Sequence, residues 1–277
     1  MARVPWRPLG KLSILMLLAG IVIYVNRLPQ LLLNYDTTMP LVVYYLTLSI
    51  TLVFAAAIYL AGAVLLLGLA WFFIERAFGP GHITEWRALN GAYFRDALCV
   101  ALFGSATVLG LNRLPALLER WPLLRHSLGA GVPDRLDLLN PALGALASSI
   151  SAAFLVAAMV GLAAGLIAAY VRPVWMRAGL LILIAVLMTT NMVTPGAFFR
   201  AALTRLMLVA ALWYGVTRIA RFNVLGYFLL AAMLSLFPAA IELLQQPNPT
   251  LRGNGYAVVA IAMAILIWPL LRWRRGT

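Results

Sequence analysis

Apolar residues fill the chain in long runs broken by short basic or Pro/Gly-bearing links. The runs cover roughly residues 12–25, 41–74, 92–111, 142–171, 178–193, 197–216, 222–244 and 256–271. Most reach or exceed the ~18 apolar residues that mark a membrane-crossing helix. They do not alternate apolar and polar as barrel strands do. The pattern predicts an all-α polytopic transmembrane helical bundle of about eight spans, a single integral membrane domain over residues 1–277. The run 41–74 would extend about 51 Å as one helix, against roughly 30 Å of hydrocarbon. A hairpin near Ala61-Gly62-Ala63 would expose backbone with no polar side chain to satisfy it. One unbroken, tilted or projecting helix is therefore expected.

The segment 112–140 has a different pattern. In LPALLERWPLLRHSL, Leu114, Leu117, Leu118, Trp121, Leu124 and Leu128 share one face, while Glu119, Arg120, Arg125 and His126 take the other. That arrangement predicts an outer amphipathic stretch lying on the membrane surface.

Composition agrees with the pattern. Of the 277 residues, 64% are hydrophobic and only 10% charged, at a mean hydropathy of +0.96. A soluble domain carries about 25% charged residues. The net charge of +13 does not point to nucleic acid, because the arginines sit at the ends of apolar runs. There they set orientation and meet anionic headgroups of the inner leaflet. One set of alternate segments holds Arg3, Arg7, Lys11, Arg76, Arg87, Arg95, Arg172, Arg177, Arg218, Arg221, Arg272, Arg274 and Arg275. The other holds Arg27, Arg113, Arg120, Arg125, Arg135, Arg200, Arg205 and Arg252. The richer set belongs inside, which puts both termini in the cytoplasm. Every tryptophan except Trp121 falls on that same side. The basic N-terminus before Leu12 resembles a signal peptide, but no A-x-A-like site follows Val25, so an uncleaved anchor is expected.

The run GALASSISAAFLVAAMVGLAAGLIAAY places Ala145, Ser149, Ala153, Ala157, Gly161, Gly165 and Ala169 four residues apart. Residues at that interval share a helix face. In lipid, a face of small side chains lets neighbouring backbones come close, and Gly161 with Gly165 forms a G-x-x-x-G pair. The helix is expected to be a central packing strut, within the chain or against a second membrane protein.

Ionisable residues in spans are candidate sites. Arg95 and Asp96 open the third span as an interfacial pair. The fifth, sixth and seventh spans are joined by short links, so they are expected to be successive neighbours. That would gather Asn191, Arg200, Arg205 and Glu242 in the outer leaflet, with Glu242 paired to Arg205 or Arg200 above a kink at Pro238. Such a cluster would serve as a lock or a binding pocket.

Catalytic signatures are sparse. His82 and His126 fall on opposite sides of the membrane, no metal-ligand pair stands at helical spacing, and no cofactor motif occurs. Ser105 lacks a base, Cys99 has no partner cysteine, and Tyr35-Asp36 is not followed by G-x-G-D. The stretches NYDTTMP, AYFRDAL, RFNVLGYFLLA and QQPNPTLRGNGYAV resemble the membrane region of large bacterial proteins grouped with the CAAX-protease-like (CPBP) intramembrane endopeptidases. That family's metal chemistry rests on E-E-x-x-x-R, F-x-x-x-H and H-x-x-x-N. Here no E-E pair exists, and neither histidine has Asn four residues on. Phe78 and His82 fit F-x-x-x-H only within the Gly-Pro loop FGPGH. The resemblance implies a bacterial inner-membrane protein without the protease site, and no catalytic residue transfers. The sequence points first to a non-catalytic scaffold or accessory membrane module. A small transporter using the Arg/Glu cluster comes second, and an intramembrane hydrolase third.

Overall fold

A computed structural model describes residues 6–33, 35, 38–79, 91–118, 138–189, 195–220 and 223–275. The described residues form helices α1 (Trp6–Asn26), α2 (Leu28–Leu33), α3 (Leu41–Phe78), α4 (Gly91–Leu118), α5 (Pro141–Tyr170), α6 (Val174–Leu187), α7 (Pro195–Tyr214), α8 (Val224–Leu244) and α9 (Pro249–Arg275). A π-helical segment, Gly215–Ala220, continues α7. The fold is an all-α bundle, and seven of its helices are long and apolar enough to cross a membrane.

Helix α3 is continuous over 38 residues, about 57 Å at 1.5 Å per residue, with no break at Ala61-Gly62-Ala63. Two expected boundaries move. Helix α4 runs on to Leu118, so residues 112–118 of the segment expected over 112–140 continue the helix beyond its apolar stretch Gly91–Leu111. The rest of that segment, up to 137, lies outside the described residues. Helix α9 starts at Pro249, seven residues before Tyr256, because Asn248 accepts from the Thr250 amide and caps the turn. At the expected fifth crossing, 178–193, the described helix is Val174–Leu187, and residues 190–193 lie outside the described residues. Fourteen residues rise about 21 Å, less than the hydrocarbon thickness.

The central strut is α5, packed against α3 on one side and α8 on the other. Ala145, Ser149, Ala153, Ala157, Gly161 and Gly165 are buried, and Ala169 is half-buried. The stripe is shared between neighbours. Ala145 and Ala153 join a core with Ala231, Met233, Leu236 and Val258 from α8 and α9. Gly161 and Gly165 face the end of α3. A Cβ on Gly165 would stand 2.8 Å from the Phe73 carbonyl carbon, closer than any real Cβ contact, so the two backbones meet there.

Polar ties fix the relative direction of the helices. At one face, Asn26 at the end of α1 donates to the Asn140 carbonyl (2.9 Å) and accepts from the Asn140 amide (2.7 Å). Asn254, near the start of α9, accepts from the Ala142 amide at 3.1 Å. At the opposite face, Asn223 before α8 donates to the Tyr93 carbonyl near the start of α4 (2.8 Å). Phe94 lies edge-on to Trp268 near the end of α9, and Phe73 edge-on to Tyr170 at the end of α5. Leu9, early in α1, packs with Leu67 and Ala70, late in α3. The start of α1 and the end of α9 therefore share a face. The same face holds the starts of α4 and α8 and the ends of α3, α5 and α7. It carries Trp6, Trp71, Trp175, Trp213, Trp268 and Trp273, all the tryptophans among the described residues.

Candidate functional site

The sequence singles out an Arg/Glu cluster on α7 and α8. Arg205 sits ten residues into α7, about 15 Å from its start, and is half-buried. It makes no hydrogen bond or ion pair among the described residues. Arg200 turns back on its own helix, its Nε donating to the Gly196 carbonyl at 3.2 Å. Glu242 is half-buried near the end of α8, and Asn191 lies outside the described residues. The expectation that α7 and α8 run side by side needs correcting. Helix α7 packs chiefly against α6 and α4 and meets α8 at its π-helical end, whereas α8 packs chiefly against α4, α5 and α9. Short links specify succession along the chain, but the stronger α4–α8 seam takes the position beside α8. Gly104 and Gly226 line that seam: a Cβ on Gly104 would lie 2.9 Å from the Leu230 side chain, and one on Gly226 3.2 Å from Val100.

Arg95 and Asp96 do pair, with Nη2 3.1 Å from Oδ1, but both side chains are exposed. An exposed pair of this kind contributes about 0–1 kcal/mol. It marks the start of α4 and leaves the bundle energetics to other contacts.

The polar residues that do span helices are ones the sequence reading passed over. Asn26 is buried, and its amide also depends on Gly144: a Cβ there would meet Nδ2 at 2.4 Å. Asn140 turns its own side chain to the Leu143 amide and caps α5, with Pro141 at the first helical position. Asn223 repeats the device at α8, accepting from the Gly226 amide at 3.0 Å. Across α3 and α5 the Tyr59 and Ser151 hydroxyls are hydrogen-bonded. The available signal was Asn at the end of an apolar run, next to Pro in Asn140-Pro141. Glu75 was also missed. It falls one residue beyond the expected span end, yet α3 continues past it and buries it to 6% exposure. Ser105 is buried and its Oγ has no hydrogen-bond partner among the described residues.

One cavity of about 510 Å³ lies between α4, α5, the π-helical end of α7, and α8. That volume is within the ~300–1,000 Å³ of small-molecule sites. Its wall is almost wholly apolar, including Val100, Phe103, Val160, Leu212, Val216 and Leu230. Neither Arg205 nor Glu242 lines it. The cavity lies where α7 leans on α4 and its end reaches α5 and α8 through Trp213 and Val216, which pack with Ala157, Ala164 and Tyr227. Val216 is buried within the π-helical segment, and π segments recur at functional sites. Pro238 has no N–H, so the carbonyl of Leu234, a lining residue, lacks its usual helical donor.

No protein-family model, no curated protein and no solved structure matches this chain.

Proposed function

We propose that this chain is a non-catalytic scaffold or accessory module of a bacterial inner membrane, with both ends in the cytoplasm. The observation that carries this reading is the use made of its polar side chains. Asn26, Asn140, Asn254 and Asn223 join helix ends to one another instead of converging on a cavity. In lipid, interhelical hydrogen bonds and close small-residue contacts are what hold a bundle together. The Gly161/Gly165 pair against Phe73 and Ile74 supplies the close contact, as a G-x-x-x-G seam. The basic residues and tryptophans at one face support a cytoplasmic assignment for it. The resemblance to the membrane region of CPBP-type proteins, without their metal motifs, supports an accessory role. A partner would be another membrane protein, with anionic lipid at the inner face.

The transporter reading keeps one observation in its favour: Arg205, a cation about 15 Å into α7 without a partner among the described residues. One experiment separates the two. The purified chain is reconstituted into liposomes, and solute release is followed beside in-membrane crosslinking of the native protein. The scaffold reading expects no release above empty liposomes and a discrete crosslinked membrane partner. Release that Arg205→Gln abolishes, with no crosslinked partner, would replace it with transport.

A further inference from the structure

We infer that the cavity between α4, α5, the π-helical end of α7, and α8 holds one acyl chain of an anionic phospholipid, with its headgroup met by Arg218. The cavity opens sideways, since its rim residues Phe103, Tyr214 and Ile219 are 73%, 61% and 59% exposed on the outer surface of the bundle. In a chain solvated by hydrocarbon, that opening faces lipid. Water cannot fill the space, because an internal water needs two to four polar partners and the wall offers almost none. Leaving it empty would forfeit dispersion contact along the whole lining. A hydrocarbon chain is the remaining occupant.

The dimensions fit one chain. The lining on α4 runs from Cys99 to Val108, about 13 Å along the helix. That is close to one leaflet's share of a ~30 Å hydrocarbon core. The cavity also reaches toward the tryptophan-rich face, through Gly215, Ile219 and Tyr227. There the π segment presents Arg218, exposed and with no ion pair among the described residues. Asp96 at the same end of α4 is engaged by Arg95. A guanidinium one residue from the lining residue Ile219 thus stands at the depth of a headgroup, and a phosphate is its natural counter-charge. The π turn gives the wall slack to adjust to a chain, because its hydrogen bonds are already spaced one residue wider than those of α7. None of the asparagine ties touches this site, so the inference stands or falls independently of the scaffold reading.

The test uses the full chain in nanodiscs with trace phosphatidylglycerol or phosphatidylcholine carrying a photoreactive diazirine in one acyl chain. Crosslinks are mapped by mass spectrometry. Phosphatidylglycerol should label the lining of α4, the α7 end and α8 above the level of the lipid-exposed face of α3 at Val42–Ile58. It should exceed phosphatidylcholine by about fivefold, and Arg218→Gln should remove that preference. Ala211→Phe, which fills the cavity, should bring lining labels down to the α3 level with the thermal midpoint held or raised. If that variant does not fold, Val156→Trp fills the same space from α5. Uniform labelling, equal labelling by both lipids, or a folded cavity-filling variant that labels as before would overturn the assignment.

Discussion

At the residue scale, a few side chains set the geometry. Asn26 reaches from α1 to both the donor and the acceptor of Asn140, so Asn26→Leu removes two interhelical hydrogen bonds at once. It should cost about 1–2 kcal/mol, within the range for buried hydrogen bonds and at the high end for membrane bundles. The thermal midpoint in detergent checks this; an unchanged midpoint would show that the tie contributes nothing. Gly165→Leu should cost about 1–3 kcal/mol, because the added Cβ meets the Phe73 backbone, which cannot swing aside. Gly179→Leu on α6 is the matched control: a Cβ there has nothing within 4 Å, and no loss is expected. Equal losses would deny the close α3–α5 approach. The sequence showed that small residues recur along α5, because interval and size are properties of one helix. Which neighbour each would meet depends on where α3 and α8 lie, so the division of the stripe between them could not be read. Asn26 and Asn140 are 114 positions apart, and no local pattern links them.

At the element scale, continuity of α3 was legible, because a polar-free hairpin in lipid is forbidden whatever the neighbours do. Ala61→Pro tests it. Inside an unbroken helix it should cost about 3 kcal/mol or more, whereas at a turn it would be tolerated. The lateral order of α7 and α8 was not legible. Sequence succession suggested neighbours, but the glycine-lined α4–α8 seam, with Gly104 and Gly226, takes that place. The consequence is a peripheral α6–α7 pair: the single buried residue of α6 is Ala185. The π segment was equally hidden, since nothing in GVTRIA distinguishes it from ordinary helix. Cys99 reports on this region, being exposed on α4 beside the cavity. A spin label on this native thiol should be accessible to oxygen, which concentrates in hydrocarbon, and shielded from a charged nickel chelate. Greater nickel access would place a water path where lipid is expected.

At the scale of the whole molecule, the class was legible from 64% hydrophobic and 10% charged residues, because a solvated surface cannot be built from so few charges. The count of crossings was less so. Seven helices are long enough to cross, and α6 is short, yet the asparagine and aromatic ties return the end of α9 to the face where α1 starts. That arrangement calls for an even number of crossings, and the only described helix between α5 and α7 is the short apolar α6. Under the proposed function, the excess of basic residues puts that shared face in the cytoplasm. Reporters fused to the amino and carboxyl ends of the intact chain test this most directly. Both should be active only as cytoplasmic reporters; activity on opposite sides would mean an odd number of crossings and would contradict the arrangement described for the bundle.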